Sequence, residues 1–458
     1  MSKLLLRASK PPWESLSAEE TLRRGALAQN AGNLLFGQSV YRTLSTPGTE
    51  ITPDRFASHR KGNDVAYASM VNETYDHFVI PLANAFRPAF RGSLRRLTKL
   101  VRRLDIPVTV IGVGSQHKLG DNSATDEGLE SDVSAFMSAV LDRSASVGVR
   151  GEYTAKFLKQ LGYGEEHVNV IGCPSVFMNG QPEPLEKSVG HLSPESPIAM
   201  TVSPYVGRLN AIVKSHSLRY SKLMYIPQNQ SDLNMMVWGE DRSKPKSPWN
   251  PTHTQHPLYV QDRMRFPLDP RTWTEYLSSF EFLFGSRIHG TIAGILAGVP
   301  SLLLVHDTRT LELAEYHEIP YVMLTDLRKD IDARDLFERT DYSAYNARQP
   351  EVLARYTAFL EKNGIDHIFK KGNDPTEFDR QLSGADLPPM VSTLFASDPE
   401  GRFAILNRIK DLHSEQERIG ERIEAIEQKL TVAEAQRPRR QPLPRSMKAL
   451  GRRIMRHQ

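Results

Sequence analysis

Short apolar runs alternate with longer amphipathic stretches over the first 345 residues. Runs at residues 78–80, 107–113, 146–149 and 168–171 are rich in Val, Ile and Phe and read as strands. Between them, residues 93–104, 127–141 and 153–161 carry apolar side chains at helical spacing. A stretch rich in Pro, Ser and Glu at 180–197 marks a linker. A second series follows, with strands at 198–202, 223–226, 280–284 and 301–305 and helices at 209–220, 272–279, 289–296 and 310–317. Near-continuous apolar strands alternating with helices belong in buried parallel sheets. Two such series predict an α/β protein of two doubly wound, Rossmann-like domains, at 1–195 and 196–345. Ligands in such folds bind outside the carboxyl ends of the strands.

Beyond residue 345 the strand signal stops, and 346–400 reads as a helical return segment. From Ile405 the pattern falls at alternating spacings of four and three: Ile405, Ile409, Leu412, Gln416, Ile419, Ile423, Ile426, Leu430 and Ala433. That is a heptad seam with one polar a position, Gln416. It predicts a coiled coil over 401–436 and, through it, a homo-oligomer. An amphipathic helix folded back on the body is the competing reading. Pro438, Pro442 and Pro444 end the pattern.

Composition narrows the class. At 458 residues the chain is long enough for two to three domains. With 39% hydrophobic and 24% charged residues it reads as globular, not disordered or fibrous. The net charge of +4 is too small to imply nucleic acid, but it is unevenly placed. Residues 437–458 hold seven arginines, one lysine and no acid, so this tail carries +8 and the remainder about −4. Within the tail, Met447, Leu450, Ile454 and Met455 stand among basic residues, which suits either a short membrane-surface helix or a disordered segment. The one cysteine, Cys173, excludes an internal disulfide framework and fits a reducing compartment. The apolar stretch at the start is shorter than a signal segment of about 7–15 residues. The longest apolar run, 292–305, falls short of the roughly 20 residues that span a bilayer. The expectation is a soluble cytoplasmic protein, with peripheral contact at the inner membrane face through its tail.

The strongest candidate chemistry follows the strand at 280–284. Gly285 ends it, Ser286, Arg287 and His289 come next, and a helix of small residues begins at Gly290. These side chains therefore sit at a strand carboxyl end and a helix N-terminus, where free N–H groups and the helix dipole favour an anion. Arg287 adds a planar fork suited to phosphate or carboxylate. The dipole is expected to lower the His289 pKa and leave it able to exchange a proton near neutrality. Arg150 ends the strand at 146–149 in the same geometry, or else pairs locally with Glu152. Residues 30–33, Asn30-Ala31-Gly32-Asn33, open a helical run at 34–44 and either cap it or offer N–H groups to a ligand. Gly112-Val113-Gly114-Ser115-Gln116-His117 has His117 where a dinucleotide turn needs its third glycine, which argues against a nicotinamide site. His253 and His256 have no carboxylate at helical spacing, so no zinc set is read. No Gly-x-Ser-x-Gly elbow and no Walker loop occurs.

Taken in order, these segments resemble the polysaccharide pyruvyl transferase family. The residues that carry the resemblance are 30–33 before a helix, Gly112-Val113-Gly114, Val147-Gly148-Val149-Arg150, and Pro227-Gln228 with Asp232. Most specific is Ser286-Arg287-Ile288-His289-Gly290 with Gly298-Val299-Pro300. The likeness covers about residues 25–325. It implies a two-domain fold similar to the GT-B glycosyltransferases. It also implies transfer of the enolpyruvyl unit of phosphoenolpyruvate onto two hydroxyls of a sugar as a ketal, with release of phosphate. On that basis His289 and Arg150 are expected to be catalytic, and Arg287, Ser286, Arg309, Gly290 and Asn33 to bind substrate. Arg309 stands where the family often has a lysine; it keeps the charge but cannot transfer a proton. Residues 80–84, Ile80-Pro81-Leu82-Ala83-Asn84, lack the glycine that the family tends to carry after its second strand. No metal or cofactor is implied, and the expected partners are phosphoenolpyruvate and a sugar or lipid-linked glycan. Two alternatives remain: a GT-B-type glycosyltransferase using a nucleotide sugar, and a non-catalytic coiled-coil scaffold, against which the intact Arg150, Arg287 and His289 argue.

Overall fold

The structure, a computed structural model, describes residues 1–60, 64–116, 127–241, 247–328 and 330–435. The first lobe runs β1 (Ser2–Leu6), α1 (Ala18–Arg24), α2 (Gly32–Leu44), β2 (Thr49–Pro53), α3 (Asp64–Thr74), β3 (His77–Pro81), α4 (Arg91–Val101), β4 (Val108–Ile111), α5 (Glu127–Leu141), β5 (Val147–Val149), α6 (Glu152–Gln160) and β6 (Val168–Val170). The second runs β7 (Ile198–Thr201), α7 (Leu209–Arg219), β8 (Met224–Tyr225), α8 (Gln230–Trp238), α9 (Pro257–Val260), α10 (Pro270–Leu277), β9 (Phe282–Gly285), α11 (Ile288–Leu296), β10 (Ser301–Val305), α12 (Thr308–His317), β11 (Tyr321–Met323) and α13 (Ala333–Arg339).

Every strand pair among the described residues is parallel, and β3, β4, β7, β9 and β10 are buried on both faces, as strands of parallel sheets are. The first sheet has the order β2-β1-β3-β4. It continues towards β5 and β6 through a Val113–Val149 bridge, in which the Arg150 N–H donates to the Val113 carbonyl. The second sheet has the order β11-β10-β9-β7-β8. Each sheet thus reverses direction once: β1 has β2 on one side and β3 on the other, and β7 has β8 and β9. Crevices open at such reversals, at the strand carboxyl ends.

The opening residues form β1, whose Leu4, Leu5 and Leu6 are buried. Neither β1 nor β2 was apparent in the apolar pattern. β1 has no β-branched residue, and β2 is a half-exposed edge strand ending in proline. One apolar cluster takes Leu4 and Leu6 from β1, Phe36 and Val40 from α2 and Ile292 and Ala293 from α11, and so joins the two lobes. α14 (Ser343–Lys362) then returns the chain to the first lobe, where the Asn363 side chain accepts from Ser144 Oγ and the Ser146 N–H. α15 (Thr376–Ser383) follows, and its Asp379 forms a two-point ion pair with Arg42 on α2.

Residues 1–396 form one compact unit, and a second unit begins at Ser397. In the second, α16 (Pro399–Ala435) is one continuous helix, and Ile409, Leu412, Ile419, Ile423, Ile426 and Leu430 of the heptad pattern are exposed. The tail at 437–458 lies outside the described residues, and so does His117. No described helix is long and apolar enough to cross a membrane.

Candidate functional site

β9 is a buried central strand, so the residues that leave it enter the crevice beside β7. Ser286 Oγ accepts a 2.8 Å hydrogen bond from the Ser203 N–H, which fastens the exit of β9 to the exit of β7. Arg287 takes the capping position of α11 with an extended backbone. It is 9% exposed, and its Nη2 donates to Asn229 Oδ1 at 2.9 Å. Asn229 is itself held by Asp232, which accepts from its backbone N–H. Gly290 does not line the cavity. It lies where a Cβ would meet Gln228 Nε2 at 2.5 Å and Thr201 Cγ2 at 2.6 Å, so its role is to let α11 close on β7.

Arg150 enters from the opposite lobe, at the end of β5, and is 3% exposed. Its partner is not the neighbouring Glu152 but Glu312 on α12, with Nε and Oε1 3.5 Å apart. Among the described residues its Nε and Nη2 have no hydrogen-bond partner. The guanidinium lies directly over Gly114, where a Cβ would stand 1.7 Å from Nε. Glu312 also accepts from the N–H and Oγ1 of Thr154, in the first turn of α6. It therefore ties α12 of the second lobe to the first. Burial outweighs these partners and pushes the Glu312 carboxyl up to about 7.

Arg309 sits in the first turn of α12, with Nη2 3.1 Å from Asp307 Oδ2. Asp307 caps that helix by accepting from the Thr310 N–H. A fourth guanidinium, Arg87, comes from the loop after β3 and donates through Nε to the Asn84 carbonyl. Together Arg87, Arg150, Arg287 and Arg309 face a cavity of about 430 Å³ that His289, Asn33 and Ser286 also line.

His289 stands at the inner wall of that cavity. Its ring stacks on Phe36 at a centroid distance of 6.5 Å, and its Nε2 lies 3.8 Å from Cys173 Sγ. Its Nδ1 faces Gly32, where a Cβ would come within 2.4 Å. Burial, then Arg150, Arg309 and Arg287, push its pKa down to about 3. The expected depression is therefore present, but its causes are desolvation and three guanidiniums, and the imidazole is neutral at neutral pH. Burial also raises the Cys173 pKa, which keeps the thiol protonated beside the ring.

Asn33 braces the adjoining loop: its Nδ2 donates to the carbonyls of Leu27 and Ala28. That loop reaches the other lobe, with the Ala31 N–H on the Gln228 carbonyl and the Gln230 N–H on the Gln29 carbonyl. The structure thus brings His289, Arg150, Arg287, Arg309, Ser286 and Asn33 to one cavity and leaves Gly290 behind its wall. Sequence reasoning missed Arg87, Glu312 and Asn229. Arg87 lies seven residues beyond the strand at 78–80, whereas Arg150 directly follows its own, so none of the three carried the signal that marked Arg150. Among the described residues no group of three His, Cys, Asp or Glu could hold a metal.

No curated protein sequence matches the chain. Solved structures that it resembles include the S. aureus MnaA–UDP complex, at 13% identity and a TM-score of 0.44, over 82% of this chain and all of that one. A UDP-N-acetylglucosamine 2-epimerase aligns at 11% identity and a TM-score of 0.44, over 81% of this chain and 97% of that one. The Methanocaldococcus jannaschii UDP-GlcNAc 2-epimerase in complex with UDP-GlcNAc and UDP aligns at 10% identity and a TM-score of 0.40, over 77% and 99%. Likenesses this distant bear no weight in the argument. A family model described as polysaccharide pyruvyl transferase, however, matches residues 30–308, a span that contains Asn33, Arg150, Arg287, His289 and the whole path between the two lobes. The chain belongs to the polysaccharide pyruvyl transferase family.

Proposed function

We propose that the protein transfers the enolpyruvyl unit of phosphoenolpyruvate to two hydroxyls of a sugar, forming a pyruvate ketal and releasing phosphate. The observation that carries this reading is the set of guanidiniums around one neutral histidine. Phosphoenolpyruvate bears a carboxylate and a phosphate, and Arg150, Arg287 and Arg309 supply separate forks for two such groups. The two lobes facing each other across the site would give the GT-B arrangement, with the donor between them.

The chemistry assigns a path to each proton. A sugar hydroxyl adds to C2 of the enolpyruvate as C3 gains a proton, and a second hydroxyl replaces phosphate at C2. One hydroxyl proton ends on C3, turning the methylene into a methyl group, and the other leaves with the phosphate. His289, neutral before the donor binds, accepts the first hydroxyl proton and hands it to C3. Such proton transfer is worth about 10²–10⁴ in rate. Arg150, Arg287 and Arg309 hold the donor and stabilise the departing phosphate, and Ser286 and Asn33 fix the loops that carry them. No metal or cofactor is needed for these steps.

For residues 397–458 we propose self-association through the α16 seam and contact of the basic tail with anionic lipid, which would suit a lipid-linked acceptor at the cytoplasmic face. The central reading is tested by titrating phosphoenolpyruvate and then measuring phosphate release with a panel of sugars. Saturating phosphoenolpyruvate at 100 times its dissociation constant should stabilise the fold by about 2.7 kcal/mol. Stabilisation by a nucleotide sugar, with none by phosphoenolpyruvate, would establish the glycosyltransferase alternative instead.

A further inference from the structure

A second cavity, of about 290 Å³, opens off the first. It shares Ala28, Gln29, Asn33, Phe36, Asn84 and Arg87 with its neighbour. It sits at the carboxyl ends of β1 and β3, which is where the first sheet reverses direction. That is the position at which doubly wound sheets bind ligands.

The wall of this cavity is unlike that of the first. Phe56, His59 and Phe90 form a run of rings, with His59 5.9 Å from Phe56 and 6.3 Å from Phe90 between centroids. Arg7 lies over the Phe56 ring at 5.0 Å, close to the buried Asp54. Burial and the charges of Arg7, Arg96 and Arg60 hold the His59 pKa down to about 3, and the ring presents one donor and one acceptor. Three buried polar atoms at this wall, Arg7 Nε, His59 Nδ1 and Asn84 Oδ1, have no hydrogen-bond partner among the described residues. Buried polar atoms rarely stay unpaired unless something else pairs with them.

The backbone points the same way. Among the described residues six non-glycine residues have positive φ, and four of them lie in the two turns at this cavity: Ala28 (44°), Gln29 (81°), Arg55 (50°) and Phe56 (58°). A side chain braces each turn, Asn33 Nδ2 the first and Asp54 the second, where it accepts from the N–H groups of Phe56 and Ser58. Strain kept in place by dedicated braces is a mark of functional loops.

We propose that this second cavity is the acceptor subsite and takes one pyranose ring. The ring stacks on Phe56, His59 and Phe90, and its hydroxyls pair with His59, Asn84 and Gln29. The reacting hydroxyls then pass Phe36 towards His289. Aromatic rings suit the apolar C–H faces of a sugar, and the hydrogen-bonding groups around them suit its hydroxyls. The assignment rests on reading the first cavity as the donor site.

The test keeps the two sites apart. Saturation-transfer NMR is run on the full chain with millimolar methyl glycosides of glucose, galactose, mannose, N-acetylglucosamine and N-acetylmannosamine, with and without phosphoenolpyruvate. The wild type should saturate the ring protons of at least one of them. Phe90→Ala and His59→Ala should each lower that signal about fivefold or more, while phosphoenolpyruvate affinity stays within about twofold. If Phe90→Ala loses its fold by circular dichroism, Phe90→Leu replaces it. The proposal is overturned if no glycoside is saturated, or if the signal survives both variants. Failure of phosphoenolpyruvate to bind the wild type would instead remove the donor reading, and the glycoside signals would still judge the cavity.

Discussion

Gly114→Ala is a substitution that should act on a residue it does not change. The backbone at Gly114 is outside the left-handed region, so alanine fits its conformation, but the new Cβ would stand 1.7, 2.1 and 2.3 Å from Nε, Cζ and Nη2 of Arg150. Those separations are far below van der Waals contact, and the guanidinium must swing off by more than about 1 Å. A hydrogen bond stretched past 3.5 Å is no longer one. A charge-assisted bond is worth about 1.5–3 kcal/mol, so the dissociation constant for phosphoenolpyruvate should rise about 10- to 150-fold. The displaced arginine also leaves Glu312 with only Thr154 for company, and breaking a buried ion pair costs about 3–5 kcal/mol of stability. Isothermal titration of Gly114→Ala, Arg150→Ala and the double variant decides the matter. Once Arg150 is truncated the extra methyl has room, so the second substitution should add almost nothing. Additive losses, or a Gly114→Ala variant with parental affinity, would show that Arg150 does not meet the donor from this position.

The same reasoning applies to Gly32→Ala, whose Cβ would come within 2.4 Å of His289 Nδ1; turnover should fall about 10²-fold or more, as in His289→Ala, with donor affinity largely kept in both. Comparing kcat with the donor dissociation constant checks this, and near-parental turnover in His289→Ala would remove the histidine from the mechanism. Arg287→Lys keeps the charge and loses the fork, so calorimetry should find phosphoenolpyruvate bound more weakly by about 1–3 kcal/mol. Removing residues 397–458 should leave residues 1–396 folded and convert an oligomer to a monomer by light scattering, if the exposed α16 seam associates with a second copy as proposed. A full-length chain that is already monomeric at micromolar concentration would refute the seam as an assembly device.

How much of this was readable beforehand follows from where the signals lie along the chain. The inner strands announce themselves as apolar runs because both faces are buried, and Ser286, Arg287 and Arg150 follow from standing just after such runs. β1 and β2 stay hidden because one is three leucines without β-branching and the other is an edge strand. Glu312 reads as an ordinary surface charge on an amphipathic helix. Nothing local shows that it is buried against Arg150, 162 residues earlier in the chain. The second cavity is less readable still: Arg7, Gln29, Phe56, His59, Asn84 and Phe90 come from separate turns that only the sheet reversal assembles. The His289 pKa was expected to fall for a local reason, the helix dipole, whereas most of the effect comes from burial and from arginines of both lobes.

That last difference has a kinetic consequence. In the free protein the His289 pKa is pushed down to about 3 by burial and by Arg150, Arg309 and Arg287. From pH 5 to 8 the free imidazole therefore does not titrate, and it contributes no acid limb to kcat/KM for phosphoenolpyruvate. The donor brings a phosphate and a carboxylate to the same guanidiniums, and each opposite charge favours the protonated ring, so the pKa in the complex must rise. A limb due to His289 is then expected in kcat alone, with activity falling as the pH drops through the raised value, because a protonated imidazole cannot accept the hydroxyl proton. The Glu312 carboxyl, pushed up to about 7, and the donor phosphate itself also titrate in this range. The decisive quantity is thus the difference between profiles of the wild type and of His289→Ala. Subtracting the variant should leave kcat/KM unchanged in shape and take the acid limb out of kcat. An acid limb in kcat/KM near the ordinary histidine value, lost in His289→Ala, would mean that the free site holds the ring charged and that the arginines do not face it.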